Sequence, residues 1–190
     1  GLLLLSMFCA GVTFLYEELL TAEVNRTDGI QFNEILASNL TGLKDEDGDT
    51  SDWLEIENIK SQPVNLSGYS LTDNASVRRK WALPDLDIPP GGFLSFWMSG
   101  KDSNQSELSD SNPLRKTSPF SVHTNFKLKK KGGSLFLINP AGDTIDEIHY
   151  PRQYSDHSFA RSTDPTRKWG FYLIPTPGKA NEGRPLKQFV

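Results

Sequence analysis

The sequence is poor in the residues that usually announce an enzyme or a metal centre. Its single cysteine, Cys9, cannot pair within the chain, so no internal disulfide holds the fold, and cysteine usage leaves the redox compartment open. Cys9 lies inside an apolar run, with Phe8 where a bacterial lipoprotein signal wants a small residue; it reads as apolar filler rather than a lipidated residue or a nucleophile. The three histidines, His123, His149 and His157, are scattered and form no HExxH or paired spacing, which argues against zinc. No GxSxG elbow, phosphate-binding P-loop or GxGxxG fingerprint occurs. Positive charge is not in excess: Lys and Arg total 20 against 24 Asp and Glu, so a general affinity for nucleic acid or anionic lipid is not favoured. There is no internal repeat.

What is present suits a single domain. A length of 190 residues allows one real core with flanking segments. Turn formers are plentiful, with 15 Gly and 12 Pro, as an all-β chain with many connections requires. Residues 1–16, GLLLLSMFCAGVTFLY, carry no charge, and Glu17 and Glu18 end the run. It is shorter than the roughly 20 residues a membrane helix needs and matches the apolar core of a secretory signal peptide. An uncleaved membrane anchor is the alternative, and a buried core helix a weaker one, since no polar stripe interrupts the run. The first residue is Gly, no basic region precedes the run, and the end, RPLKQFV, resembles the start of a linker, so we read the chain as a piece of a longer protein. The expected division is a leader or anchor with connector at 1–29, a β domain at 30–182 and the start of a tail at 183–190. This places the β domain outside the cytoplasm, secreted or membrane-anchored, with the membrane met only through the N-terminal segment.

After residue 29 the chain reads as short strands. IQFNEILAS alternates Ile30, Phe32 and Ile35, with a slip of phase near Asn33. WLEIEN sets Leu54, Ile56 and Asn58 on the opposite face from Glu55 and Glu57, the period of a half-buried strand. VNLSGYSLTD turns or bulges at Gly68, and WALPD is a short strand ended by Pro84. Pro89, Pro90, Gly91 and Gly92 make a tight turn before an apolar central strand at 93–98. Residues 100–119 are polar and aperiodic, a long exposed loop. HTNFKLKKK, SLFLI and TIDEIHY follow as three strands, and SFARS and KWGFYL as the last two. Turn signals every 8–12 residues or so indicate a sandwich or barrel.

Two clusters invite chemistry. In DEDGDTSDWLEIEN, residues 45–58, Asp45, Asp47 and Asp49 have the one-three-five spacing of a calcium loop. The EF-hand pattern then fails twice: Thr50 stands where Gly is required, and Ile56 where a bidentate Glu is required. A looser calcium site of Asp45, Asp47, Asp49 and Asp52 competes with a plain solvated turn shaped by Gly48, which is the preferred reading; calcium is the only cofactor the sequence suggests. Paired carboxylates such as Glu55 with Glu57 read as exposed sheet faces rather than acid–base catalysts. Arg78, Arg79 and Lys80, and Lys127, Lys129, Lys130 and Lys131, are possible phosphate contacts near Trp81 and Phe126; given the acidic whole they read better as protection of a sheet edge. Asn25, Asn39, Asn65, Asn74 and Asn104 head N-x-S/T triplets, which are glycosylation acceptors in a eukaryotic secretory route and in a bacterial protein mean no more than polar turns.

NEILASN, DTSDWLEIEN, PVNLSGYSLTD, WALPD, IPPGGFLSFW, FKLKKKGGSLFLINPAGDTIDEIHY, SFARSTD and PTPGKAN, in that order, resemble the lamin tail domain over about residues 30–182. The resemblance implies an immunoglobulin-like antiparallel β-sandwich, here preceded by an N-terminal apolar helix. In nuclear lamins such domains contact protein, DNA or chromatin; in exported bacterial proteins they often sit beside nuclease, phosphatase or CotH-kinase-like domains. An apolar leader in place of a coiled-coil rod resembles the exported form. The family brings no catalytic residues. The expectation is therefore a non-catalytic module that binds a protein or glycan, or positions a neighbouring domain of the same polypeptide, using sheet edges and the loop at 100–119. The accessory part of an exported enzyme whose catalytic domain lies beyond Val190 is the alternative; a nucleic-acid-binding domain comes third.

Overall fold

A computed structural model describes residues 28–103 and 120–186. The expected apolar helix, most of the loop at 100–119 and the last four residues lie outside the described residues.

Twelve strands are found among the described residues: β1 (Ile30–Leu36), β2 (Trp53–Asn58), β3 (Val64–Asn65), β4 (Ser70–Thr72), β5 (Trp81–Ala82), β6 (Asp87–Ile88), β7 (Phe93–Trp97), β8 (Phe120–His123), β9 (Gly133–Ile138), β10 (Thr144–Tyr150), β11 (Ser158–Arg161) and β12 (Trp169–Tyr172). A six-stranded sheet runs β12-β11-β1-β2-β7-β8, a four-stranded sheet runs β10-β9-β4-β5, and β3 and β6 form a small ribbon. The fold is an all-β, immunoglobulin-like sandwich. Between the two sheets pack Ile30, Phe32, Ile35, Leu54, Ile56 and Phe96 from the first and Leu71, Leu135, Leu137 and Ile148 from the second. Trp81 meets Phe96 edge-on, with ring centroids 5.4 Å apart, which adds directional packing to plain apolar burial.

The phase slip near Asn33 is a register shift between Phe32 and Glu34 in the pairing of β1 with β2. One extra residue there lets Ile30, Phe32 and Ile35 all reach the core although their spacing breaks strict alternation.

Three features depart from the sequence reading. The β7–β8 pair is parallel, unlike the other strand pairs described, with Trp97 opposite His123. The strand expected through FKLKKK is not regular: β8 ends at His123, and Lys127 makes only an isolated bridge to Ser99. Third, β2 is not half-buried. Glu55 is fully buried, because residues beyond β12 lie over the outer face of the first sheet.

Candidate functional site

The acidic loop is closed by its own backbone. Asp45 N–H donates to Asp49 O, and Gly48 N–H to Asp45 O, at 2.8 and 3.0 Å. The turn needs a positive φ at Gly48, 85°, which glycine adopts without strain. Asp45 Oδ1 accepts the amides of Asp47 and Asp49, and Oδ2 accepts Ser51 Oγ–H. Asp45, Asp47 and Asp49 each offer an oxygen to one small volume, all within 4.8 Å of one another. That volume already faces a cation: Lys101 Nζ lies 2.7 Å from Asp45, 2.5 Å from Asp47 and 3.0 Å from Asp49. Burial pushes the Asp45 carboxyl up, but Lys101, the loop amides and Ser51 together pull it below its usual range, and the same carboxylates raise the Lys101 ammonium. Asp52 stands apart. Its Oδ1 accepts Asn39 N–H at 3.0 Å, and burial raises its carboxyl against that hydrogen bond and the nearby Lys127 and Lys130. Of the four residues suggested for calcium, three converge, and a bound ion there would have to displace an ammonium group.

The basic residues divide. Arg78 donates to Gly142 O and Thr144 Oγ1, Arg79 to Pro140 O, and Lys80 pairs with Asp73 while its ammonium sits over the Phe126 ring. The two arginines fasten the β4–β5 loop to the β9–β10 turn, and Lys80 ties that loop to itself and to Phe126. Lys130 donates to Ser155 Oγ, whereas Lys129 and Lys131 are exposed on the turn before β9.

His123 was a scattered histidine in the sequence, but the fold surrounds it. Its Nδ1 is 2.7 Å from Ser99 Oγ and its Nε2 is 3.1 Å from Glu46 Oε1, while its ring stacks on Trp97. The order of groups resembles a serine–histidine–acid relay, yet His123 and Ser99 are both buried, so Ser99 Oγ is closed to a substrate. The parallel pairing of β7 with β8 brings these residues together, and nothing in their sequence spacing announces it.

The larger omission is on the outer face of the first sheet. Glu34 on β1 sits opposite Glu55 on β2, and Ser95 on β7 continues the row. Residues 175–186 form a strap across this row. Thr176 N–H donates to Glu34, and Gly178 N–H donates to Glu55 Oε2 at 2.5 Å. Asn181 Nδ2 donates to Asn33 Oδ1 and to Arg161 O. The strap ends by pairing Leu186 N–H with Phe171 O, over Gly170, where a Cβ would run into Pro185. Burial raises both carboxyls, Glu55 to about 7, against the hydrogen bonds they accept.

On the other face, β11 and β12 carry an aromatic strip. Phe159 stacks on Trp169 at 5.3 Å and meets Phe171 at 5.0 Å, and Tyr154 meets Phe171 edge-on at 4.9 Å. Arg161 covers the far side of Trp169 and pairs with Asp146 of β10 through two hydrogen bonds. The strip borders side chains open to solvent: Tyr154 is 56% exposed, Leu173 61% and Ile174 77%.

No curated protein matches the chain. The family pattern described as Lamin Tail Domain matches residues 24–152, more than half of the sequence. The match takes in β1 to β10 with the acidic loop; β11, β12 and the strap lie beyond it. By its sandwich and by that match, the chain belongs to the lamin tail domain family.

Proposed function

We propose that this chain is a non-catalytic binding or positioning module of an exported protein, secreted or held at the cell surface, and that it contacts a protein or glycan partner, or a neighbouring domain, through the open end of the β11–β12 face. The observation that carries this reading is the exposure of Tyr154, edge-on to Phe171 of β12, and of Leu173 and Ile174, which follow β12 directly in the chain. Large exposed apolar side chains with an aromatic member are the kind of groups that partner-binding surfaces use. The chemistry-bearing groups support the same reading: Lys101 occupies the point where the acidic loop's carboxylates converge, and the buried carboxylates hold backbone amides. Export rests on the uncharged run at residues 1–16.

The reading is tested by producing the full chain with a C-terminal epitope in a bacterium and adding protease to intact cells or collecting the medium. The expected result is that the sandwich is cleaved from outside or recovered from the medium. Retention in the cytosolic fraction, protected until lysis, overturns the exported half of the proposal.

A further inference from the structure

The strap rests on a buried network whose hydrogens can be counted. Asn181 Nδ2 donates to Asn33 Oδ1 and Arg161 O, which fixes the orientation of the amide and leaves Asn181 Oδ1 as an acceptor. Thr176 Oγ1 lies 2.9 Å from that oxygen, so its single proton goes to Asn181. The same Oγ1 lies 3.2 Å from Glu34 Oε2, and no proton remains on the threonine to fill that contact. A proton on Glu34 completes the chain, with Glu34 donating to Thr176 Oγ1 and Thr176 donating to Asn181. Glu55 is the opposite case: it accepts Asn33 Nδ2–H, Ser95 Oγ–H and Gly178 N–H, a set suited to a carboxylate.

We propose that Glu34 and Glu55 form a proton-gated latch, in which the strap closes when the pair holds one proton, carried on Glu34, and loosens when both carboxyls are ionised. The two sit directly opposite on neighbouring strands, both without exposure, and like charges so placed do not both ionise readily. No lysine or arginine contacts either carboxylate among the described residues. The groups around the pair are Ser95 of β7, which donates to Glu55, Ser158 of β11, whose hydroxyl opposes the burial of the Glu34 carboxyl, and Tyr172 of β12, whose hydroxyl burial keeps neutral; Glu57, one row along, is occupied by Gln31 and Arg167. The strap's own charges, Lys179, Glu182 and Arg184, are exposed. Ionisation of Glu34 therefore meets no compensating cation, and it turns the Thr176 contact into a competition between Glu34 and Asn181 for one proton.

The sign follows from linkage. The open strap releases a proton that the closed one holds, so closing is strongest below the ordinary carboxyl range, weakens as pH rises toward neutrality and then levels off. Amide exchange at Thr176 and Gly178, measured by NMR on the full chain and corrected for intrinsic exchange, reads the opening directly. The expected result is an opening constant that rises by one to two orders of magnitude, roughly, between about pH 5 and pH 7, with Leu54 and Phe96 amides unmoved. Glu34→Gln, which accepts from Thr176 N–H and donates to Thr176 Oγ1 as a protonated Glu34 does, is expected to keep the strap closed with a smaller pH dependence, since Glu55 still titrates beneath it. The 13C shift of the Glu34 carboxyl in the unmodified chain, expected to titrate above the range of an ordinary glutamate, provides a readout free of any variant. A flat opening constant, a Glu34→Gln slope equal to the wild type, strap and core amides opening together, or a Glu34 carboxyl that titrates in the ordinary range overturns the latch.

Discussion

Lys101 Nζ lies 2.7 Å from Asp45 Oδ2, and the Asp45 side chain has no exposure to solvent. A carboxylate so enclosed needs its cation, since the loop amides and Ser51 stabilise it only in part. Lys101→Met keeps much of the stem and removes the charge. It is expected to cost on the order of 1–3 kcal/mol in chemical denaturation, with increased amide exchange confined to residues 45–51.

Because calcium and the Lys101 ammonium want the same oxygens, the wild-type chain is expected to give no binding heat on titration with calcium to about 1 mM. A saturable heat there would mean that the lysine yields, and that the acidic loop is a metal site.

Glu34 and Glu55 respond differently to the same substitution. Burial lifts both carboxyls, Glu55 from 4.5 to about 7, so the stability this pair contributes is present below pH 4.5 and lost as pH rises toward 7, on the order of 1–3 kcal/mol. Glu34→Gln removes one of the two titrating carboxyls and its repulsion of Glu55, and is expected to reduce that slope and to be more stable than the wild type at neutral pH. Glu55→Gln places an NH2 against Asn33, Ser95 or Gly178 donors and is expected to be less stable at every pH. Denaturation midpoints across pH for the two variants decide the matter; equal effects would refute the assignment of roles.

Arg161 joins three elements: it donates to Phe32 O on β1, makes two hydrogen bonds to Asp146 on β10 and covers Trp169 on β12. Burial raises the Asp146 carboxyl, opposed by Arg161. Arg161→Met leaves that carboxylate enclosed without its cation, held only by the Phe32 and Glu147 amides, and is expected to cost about 3–5 kcal/mol. Arg161→Lys recovers only part, because one ammonium cannot span both oxygens and the backbone carbonyl.

Gly170 is needed for a close approach. Gly170→Val puts a side chain where Pro185 rests; the expected result is loss of protection at the Leu186 amide with the β11–β12 pairing intact. Unchanged protection would show that the strap's end is not seated there.

Much of the sandwich was legible because its strands obey local rules. Leu54 and Ile56 alternate with Glu55 and Glu57, and the bulge in β1 showed as a broken phase at Asn33. The motif order carried the family. The strap's role was not legible, because burial of Glu34 and Glu55 depends on residues 142 and 123 positions away in sequence, at Thr176 and Gly178. A glutamate on a regular strand face looks solvated unless the segment that covers it is known. Lys101 was missed for the same reason: its partner loop lies more than 50 residues earlier, across β2 and β7. The mispredicted strand at 123–131 has a local cause, for four lysines fit an edge strand as well as they fit a turn.

The central claim is that this domain binds through the open β11–β12 face. It is tested most directly by photo-crosslinking from position 154 on the full chain in the cells that produce it, beside a variant with Leu173→Ser and Ile174→Ser. The account predicts one dominant protein or glycan adduct for the wild type and at least about a tenfold lower yield for the variant, with its denaturation midpoint unchanged. Equal adducts from both chains, or none from the wild type, would contradict it.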